Sequence, residues 1–464
     1  MKKIITTLCV CMVTFGASAQ MLTIDQCRDM ALQHNKDKQS AQLTTHQAQL
    51  TVESTKALFL PDFSFVGFGL YDTAKGSMSY GLTGLKQGLT QAVMGGVQTG
   101  VLTPQLGQWM GQVGAAMPDQ LGIDYKVGFV YSGSLVMKQP LYMGGKIRTG
   151  LEMSKMGVKM AEQNERMTDA EVIQSVNEAY ANCVKAKELQ TVAERYKVLL
   201  QELEKNVQSA IRHGLKIKND ETKVQVKLNE VELQIRRAEN AQRLAIMNLC
   251  HITGQPLTSQ LTVSSEYPVV DDASTLATAD VMQRPEYALL DYKAQMAAQQ
   301  VKMAKADMLP QVALLAKYGY SHGVKLNDEH LLDGLDFAAG VTVSVPIYHF
   351  GERQNKVKIA KAKQLQAEVE RDNKAELMQL EIARAANNLD EARLEVELSE
   401  RSLSQAEENM RLSRQQYDAG VEPLSDYLES QAMWQKAYQT KVDAHFQLYL
   451  SSVAYMKACG RLVE

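Results

Sequence analysis

The stretch VPIYHFGERQNK, Val345–Lys356, has a near relative 206 residues earlier, QPLYMGGKIRTG, Gln139–Gly150. At the same offset Gly214 falls on Gly420, Asp220 on Asp426 and Gly254 on Gly460, so the register holds over more than a hundred residues without a gap. An internal repeat of this size dictates architecture, because the same elements must be built twice and their faces buried against each other or against further copies. Upstream, Leu60-Pro61 and Leu309-Pro310 match at an offset of 249, which leaves a 43-residue insertion in the first copy. Each copy reads as helix, strand, strand, long helix, glycine break, long helix.

The strands come from period-two alternation. Phe63 and Phe65 begin the first. Val127, Phe129, Tyr131, Leu135 and Met137 share one face of the second, Val312, Leu314, Ala316, Tyr318 and Tyr320 one face of the third, and Phe337, Ala339, Val341, Val343 and Val345 one face of the fourth. Residues between them are small or polar, such as Gly128, Ser132, Ser134, Thr342 and Ser344. Segments of about ten residues with one apolar face suit a transmembrane β-barrel. A soluble antiparallel sheet alternates in the same way.

The helices follow the coiled-coil period. Leu189, Val192, Tyr196, Leu199 and Leu203 step by three and four, as do Val224, Leu228, Val231, Ile235 and Ala238. Leu389, Ala392, Val396, Ser399, Leu403, Ala406 and Met410 repeat the rhythm. Lys146 to His213 as one helix would extend roughly 100 Å, a rod that must pack against partners along its length. The breaks at Gly214 and Gly420 turn each rod back into an antiparallel hairpin.

Lys2 and Lys3 precede an apolar run from Ile4 to Phe15, and Ala17-Ser18-Ala19 supplies small residues for cleavage, so residues 1–19 read as a secretory signal peptide. Removing its two lysines takes the formal charge from −3 to −5, too mild to suggest nucleic acid. The mature chain keeps Cys27, Cys183, Cys250 and Cys459, too widely spaced for zinc or a disulfide framework. Cys27 and Cys183 read as small core hydrophobes. No later stretch has the 18 apolar residues of a membrane-spanning helix, so any membrane crossing falls to strands. Four strands cannot close a barrel, since small closed barrels need about eight; an oligomer is required. The expected boundaries are a first copy over 20–254 with strands at about 62–71 and 127–138, a linker over 255–280, and a second copy over 281–460 with strands at about 311–320 and 337–346.

The opening LTIDQCRDMALQHN from Leu22, the paired Leu-Pro strand starts, the corners QPLYMGG and VPIYHFG, and QYDAGVEPLSDYLESQ at Gln416–Gln431 together resemble the TolC family of outer-membrane efflux proteins. The resemblance covers essentially the whole mature chain. It implies mixed α and transmembrane β structure: a homotrimer with a twelve-stranded barrel in the outer-membrane lipid of a Gram-negative cell and an α-helical tunnel in the periplasm. It further implies an export channel docked to a periplasmic adaptor protein and to an inner-membrane transporter, either an RND-type pump or an ABC exporter. A trimeric coiled-coil structural protein of the envelope, without channel activity, is the alternative.

The resemblance also assigns residues. Asp426 and Glu429, three apart on one helix face, match the family's pore-constricting aspartates, and three chains would set six carboxylates in a ring that favours cations. Acidic residues also belong in a first helical turn without any gate. Asp220 and Tyr417 match the family's latch positions. Glu422 stands where an arginine clamp can occur, which throws closure onto other contacts such as Arg212, Lys216 or Lys218. Gly214, Leu215, Gly420 and Val421 are the expected adaptor contacts, although plain turns use the same residues. Pro140 and Pro346 are expected to end strands, and Gly145 and Gly351 to turn the chain from barrel into tunnel.

The insertion, Gly76 to Pro118, carries a single formal charge at Lys86, ten glycines and methionines at 78, 94, 110 and 117. It reads as a surface loop or partial plug. Its thioethers also suit Cu(I) export, but methionine is an ordinary packing residue. The eight histidines are scattered, with no H-E-x-x-H, nucleophile elbow or phosphate loop, so neither enzyme chemistry nor a cofactor or metal site is expected.

Overall fold

The computed structural model describes residues 21–100, 102–259, 261–264, 267, 280–327 and 329–462; the expected signal peptide and most of the expected linker lie outside them. The chain divides into two compact units. One comprises Glu53–Leu151 and Lys302–Val357, the other Met1–Val52, Glu152–Val301 and Lys358–Glu464.

The first unit is built on four antiparallel strands, β2 (Asp62–Gly81), β3 (Gln120–Met143), β5 (Gln311–Leu326) and β6 (Glu329–Ser344), in spatial order β2-β3-β5-β6. The register sets Phe65, Leu135, Tyr318 and Phe337 in one row across all four strands, with Phe63, Met137, Ala316 and Ala339 in the next row on that face. The opposite face carries rows such as Val66, Ser134, Gly319 and Asp336, and holds an ion pair of 3.2 Å between Lys317 and Asp336. One face is therefore apolar and the other small and polar, and the apolar one is bare: Phe65 is 75% exposed and Phe337 71%. Among the described residues both outer strands, β2 and β6, keep a free edge.

The insertion is not an irregular loop. β2 and β3 run on into it, with pairing from Lys75 opposite Lys126 to Gly81 opposite Gln120, and between them stand two helices, α3 (Thr83–Gln98) and α4 (Pro104–Ala116). Glycine lets these helices touch: a Cβ at Gly107 would collide with the Val97 side chain, and one at Gly114 would lie 3.3 Å from Leu89, while Gly96 leaves room for Leu102 of the connection. Thr103 caps α4 by accepting from the Leu106 N–H, with Pro104 in the first turn.

At the corners the two copies differ. Pro140 does not end its strand; β3 bulges between Pro140 and Tyr142 and continues to Met143. A bulge tolerates proline because the ladder already skips a bond there. Pro346 does lie beyond its strand, which stops at Ser344. Gly145 and Gly351 both take left-handed backbone, at φ +86° and +83°. Gly144 (φ +63°) is tied to glycine twice over, since a Cβ there would meet the Ala306 carbonyl oxygen at 2.6 Å. The position 206 residues later is Phe350, held at φ +46°, a conformation costly for a side chain with a Cβ.

The second unit is helical. Its short helix α1 (Ile24–His34) starts at a capping box in which Thr23 and Gln26 exchange bonds, and α2 (Lys36–Ala57) follows Asn35. The long helices are α5 (Lys146–Arg212) with α6 (Lys218–Ile252), and α8 (Glu352–Asp418) with α9 (Leu424–Ala458); α7 spans Pro285–Ala306. Every end of the second pair falls 206 residues after the matching end of the first. Among the described residues no helix is long and apolar enough to cross a membrane.

Among the described residues two larger cores hold this unit, beside a small cluster of Ala181, Tyr449 and Val453. In one, Ile24, Cys27 and Ala31 of α1 pack on Val176, Tyr180 and Cys183 of α5 and Leu249 of α6, below a parallel pairing of β1 (Met21–Leu22) with β4 (Thr262–Val263). Burial pushes the Cys27 thiol up to about 11 and the Cys183 thiol up to about 12, so both are neutral packing groups. The other core lies among α5, α6, α8 and α9 and builds the site below.

Candidate gate at the helical hairpin tips

The coiled-coil positions become the core. Tyr196, Leu200, Leu203 and Val207 of α5, Val224 and Val231 of α6, Leu403, Ala406 and Tyr417 of α8, and Leu424, Tyr427, Leu428 and Trp434 of α9 form one buried cluster. Burying such side chains is worth about 1.5–3 kcal/mol each. The cluster fixes which helix faces remain for solvent.

Each hairpin tip closes by the same backbone device. The Leu215 N–H donates to the Ala210 carbonyl at 2.9 Å and the Gly214 N–H to Ile211 at 3.0 Å; Val421 and Gly420 make the equivalent bonds to Gln416 and Tyr417 at 2.9 and 3.0 Å. This is the Schellman cap, which needs left-handed backbone at its glycine, and Gly214 and Gly420 sit at φ +73° and +77°. The bends expose Leu215 (76%) and Val421 (79%), two apolar side chains at the extreme of the hairpins.

Asp426 and Glu429 point outward from the first turns of α9, both exposed, while Tyr427, Leu428 and Ser430 between and beside them are buried. Ser425 Oγ donates to Asp426 at 2.8 Å, and the helix N-terminus adds a favourable field for the carboxylate. Glu429 also borders a groove of about 570 Å³ between α6 and α9, lined by Asn219, Lys223, Val226, Ser425 and Leu428 among others.

Asp220 occupies in α6 the place that Asp426 has in α9, and pairs with Lys223 of its own helix at 3.5 Å. Tyr417 is buried, its ring stacked on Tyr427 at 5.3 Å, with Lys216 Nζ 4.7 Å from its centroid. That cation–π contact joins one hairpin turn to the other hairpin. Burial, then the negative charges of Asp220 and Asp418, push the Tyr417 phenol above its ordinary value. Glu422 turns inward: Ser413 Oγ donates to its Oε1 at 2.6 Å, while Oε2 is buried without a hydrogen-bond partner.

Two features here have no signal in the sequence pattern. Arg414 of α8 reaches Glu202 of α5 at 2.7 Å, tying the hairpins together across 212 residues. Tyr427 is the stacking partner of Tyr417, and only the bend at Gly420 brings the two rings face to face. The corner residues Pro140, Gly145, Pro346 and Gly351 belong to the other unit and are described with it.

Comparison with known proteins bears on the family and the fold. The profile of the family described as "Outer membrane efflux protein" matches residues 27–255 and 284–461. A curated relative, the alkaline protease secretion protein AprF of Pseudomonas aeruginosa, is 22% identical over 341 residues, 72% of this chain and 68% of its own length. Among solved structures, the CmeC outer membrane channel of Campylobacter jejuni aligns with a TM-score of 0.72 at 20% identity, covering 94% of this chain and 85% of that one. The outer membrane protein VceC of Vibrio cholerae aligns at 0.70 with 17% identity, covering 94% and 96%. The fold is that of these channels, and the envelope-scaffold alternative loses its support. The chain is a channel-forming protein of the Gram-negative outer membrane, with a periplasmic tunnel, and belongs to the outer membrane efflux protein family.

Proposed function

We propose that three copies of this chain close a twelve-stranded barrel and a helical tunnel, through which cargo handed over by an inner-membrane transporter and a periplasmic adaptor leaves the cell. The observation that carries this reading is the four-stranded sheet with one bare apolar face and two free edges. A sheet of this kind is stable in lipid only when its edges are paired by other copies, because unpaired N–H and C=O groups have no water there. Two tandem repeats, over 20–254 and 281–460, would each give two strands and one hairpin.

In this reading Asp426 and Glu429 form the periplasmic gate. Their exposure on the outward face of α9, opposite the buried Tyr427–Leu428 face, supports the assignment, and six carboxylates would gather where three tips converge. Asp220 and Tyr417 form a latch with Lys216 as the cation that Glu422 cannot supply. Gly214, Leu215, Gly420 and Val421 meet the adaptor: two exposed aliphatic side chains beside two tight glycine bends suit a tip-to-tip contact. Pro140, Gly145, Pro346 and Gly351 turn the strands into the tunnel helices. The inner-membrane partner is an RND-type pump or an ABC exporter; AprF, named for protease secretion, favours the second.

Single-channel recording of the purified protein in a planar bilayer tests this directly. A small conductance blocked by divalent cations, with the block lost in Asp426→Ala/Glu429→Ala, is the expected result. Block unchanged in that variant removes the gate from these residues, and no conductance from a folded oligomer removes the channel reading itself.

A further inference from the structure

We propose that His322, His330 and Asp333 form a binding site for a divalent transition-metal ion of the Zn²⁺, Cu²⁺ or Ni²⁺ class, placed where the β5–β6 hairpin nears its turn. One ligand atom from each residue lies within 4.8 Å of the others. His322 and Asp333 are direct cross-strand partners, with Nδ1 3.1 Å from Oδ1. The rings of His322 and His330 stand 4.5 Å apart between centroids. Ligands bound at about 2.0–2.2 Å sit roughly 3.3–3.5 Å from one another around a tetrahedral ion. The His322–Asp333 pair is therefore already close to that spacing, and the exposed His330 closes the remainder by side-chain rotation.

The surroundings prepare the site. Along the apolar face, Phe65, Leu135, Tyr318 and Phe337 give way in the next row to Gly67, Gly133, Tyr320 and Leu335, and then to Gly69, Tyr131, His322 and Asp333. The cluster thus lies at the margin where the apolar band ends. Tyr320 donates its hydroxyl to Asp333 Oδ1 at 2.5 Å, which orients the carboxylate in the manner of an outer-shell partner. The Tyr131 ring lies 5.1 Å from that of His322 and walls one side.

Backbone geometry near the turn brings in the third ligand. Gly323 (φ +139°) and Val324 (φ +47°) break the regular alternation, and a Cβ at Gly323 would meet Val130 Cα at 2.8 Å. His330, opposite Lys325 in register, comes round to the His322 side. A hydrogen bond between His322 and Asp333 would explain two of the three residues; it does not account for the second imidazole. Two imidazoles and one carboxylate favour borderline transition metals, whereas Mg²⁺ and Ca²⁺ take all-oxygen sets.

This inference does not depend on the gate, and its test keeps the two apart. Metal-stripped full-length protein carrying Asp426→Ala/Glu429→Ala is titrated in detergent with Zn²⁺ against a chromogenic chelator. One Zn²⁺ per chain is expected, undisturbed by excess Mg²⁺, with His322→Ala and His330→Ala each weakening binding by at least about tenfold and Tyr320→Phe by about tenfold. Absence of stoichiometric binding, or equal affinity in the histidine variants, overturns the site. Should a variant fail to fold, the same metal is added to the unmutated protein before histidine modification by diethyl pyrocarbonate. Zn²⁺ should protect His322 and His330 together, and unchanged modification of both overturns the site on its own.

Discussion

Glu221 stands at the first turn of α6 and is buried at the foot of a hairpin. The Lys218 ammonium bonded to it, reinforced by Gln208 at 3.1 Å, holds its carboxyl below the usual glutamate range despite burial. A carboxyl whose folded value is depressed stabilises the fold fully above its unfolded value of about 4.3, and that contribution is lost as pH falls through the lowered folded value. Thermal melts should therefore place wild type above Glu221→Gln by a constant margin from neutral pH to about 5, with the margin vanishing in stronger acid. A margin unchanged down to about pH 3 would show that packing, and not the charge, is what glutamate contributes. Neighbouring carboxylates illustrate a different limit. The exposure of Asp426 and Glu429 is what acidic residues at a helix start lead one to expect, whereas the inward turn of Glu422 is not: an acidic residue in a turn looks solvated, and only the fold shows it facing Ser413.

The hairpin turn is the element that converts two long helices into one packing unit. Gly420 lies at φ +77° with nothing within 4 Å of where a Cβ would go, so a substitution there meets backbone strain alone. Gly420→Ala should cost about 1–2 kcal/mol by denaturant titration, while Gly420→Asn, which tolerates that conformation better, should cost less. Equal costs would mean the left-handed cap is not what matters at the tip. Helices of this kind were legible because a three-four rhythm held over dozens of residues, and Val192, Tyr196, Val224, Leu389 and Leu403 from that rhythm are all buried. The strands were legible at their apolar halves only. β2 and β3 outrun Tyr71 and Val127 with a shorter alternation, Met78 opposite Ile123 and Tyr80 opposite Leu121, set among glycine, serine and lysine. The helices α3 and α4 escaped because they are rich in glycine, a poor helix former on propensity, of which Gly107 and Gly114 serve as contact surface against Val97 and Leu89.

At the scale of the whole molecule, a chain with an exposed apolar sheet face and two free strand edges is incomplete alone. Four strands per chain make the number of copies the central quantity, since two would give eight strands and three would give twelve. Equal helix lengths in the two halves give each chain two matching hairpins, so three chains would present six tips around one axis. The determination of assembly mass for the detergent-solubilised protein, by light scattering with the bound detergent subtracted, tests this most directly. Three times the mature chain mass is the predicted result; a mass of one or two chains, from protein that still conducts in a bilayer, would contradict it.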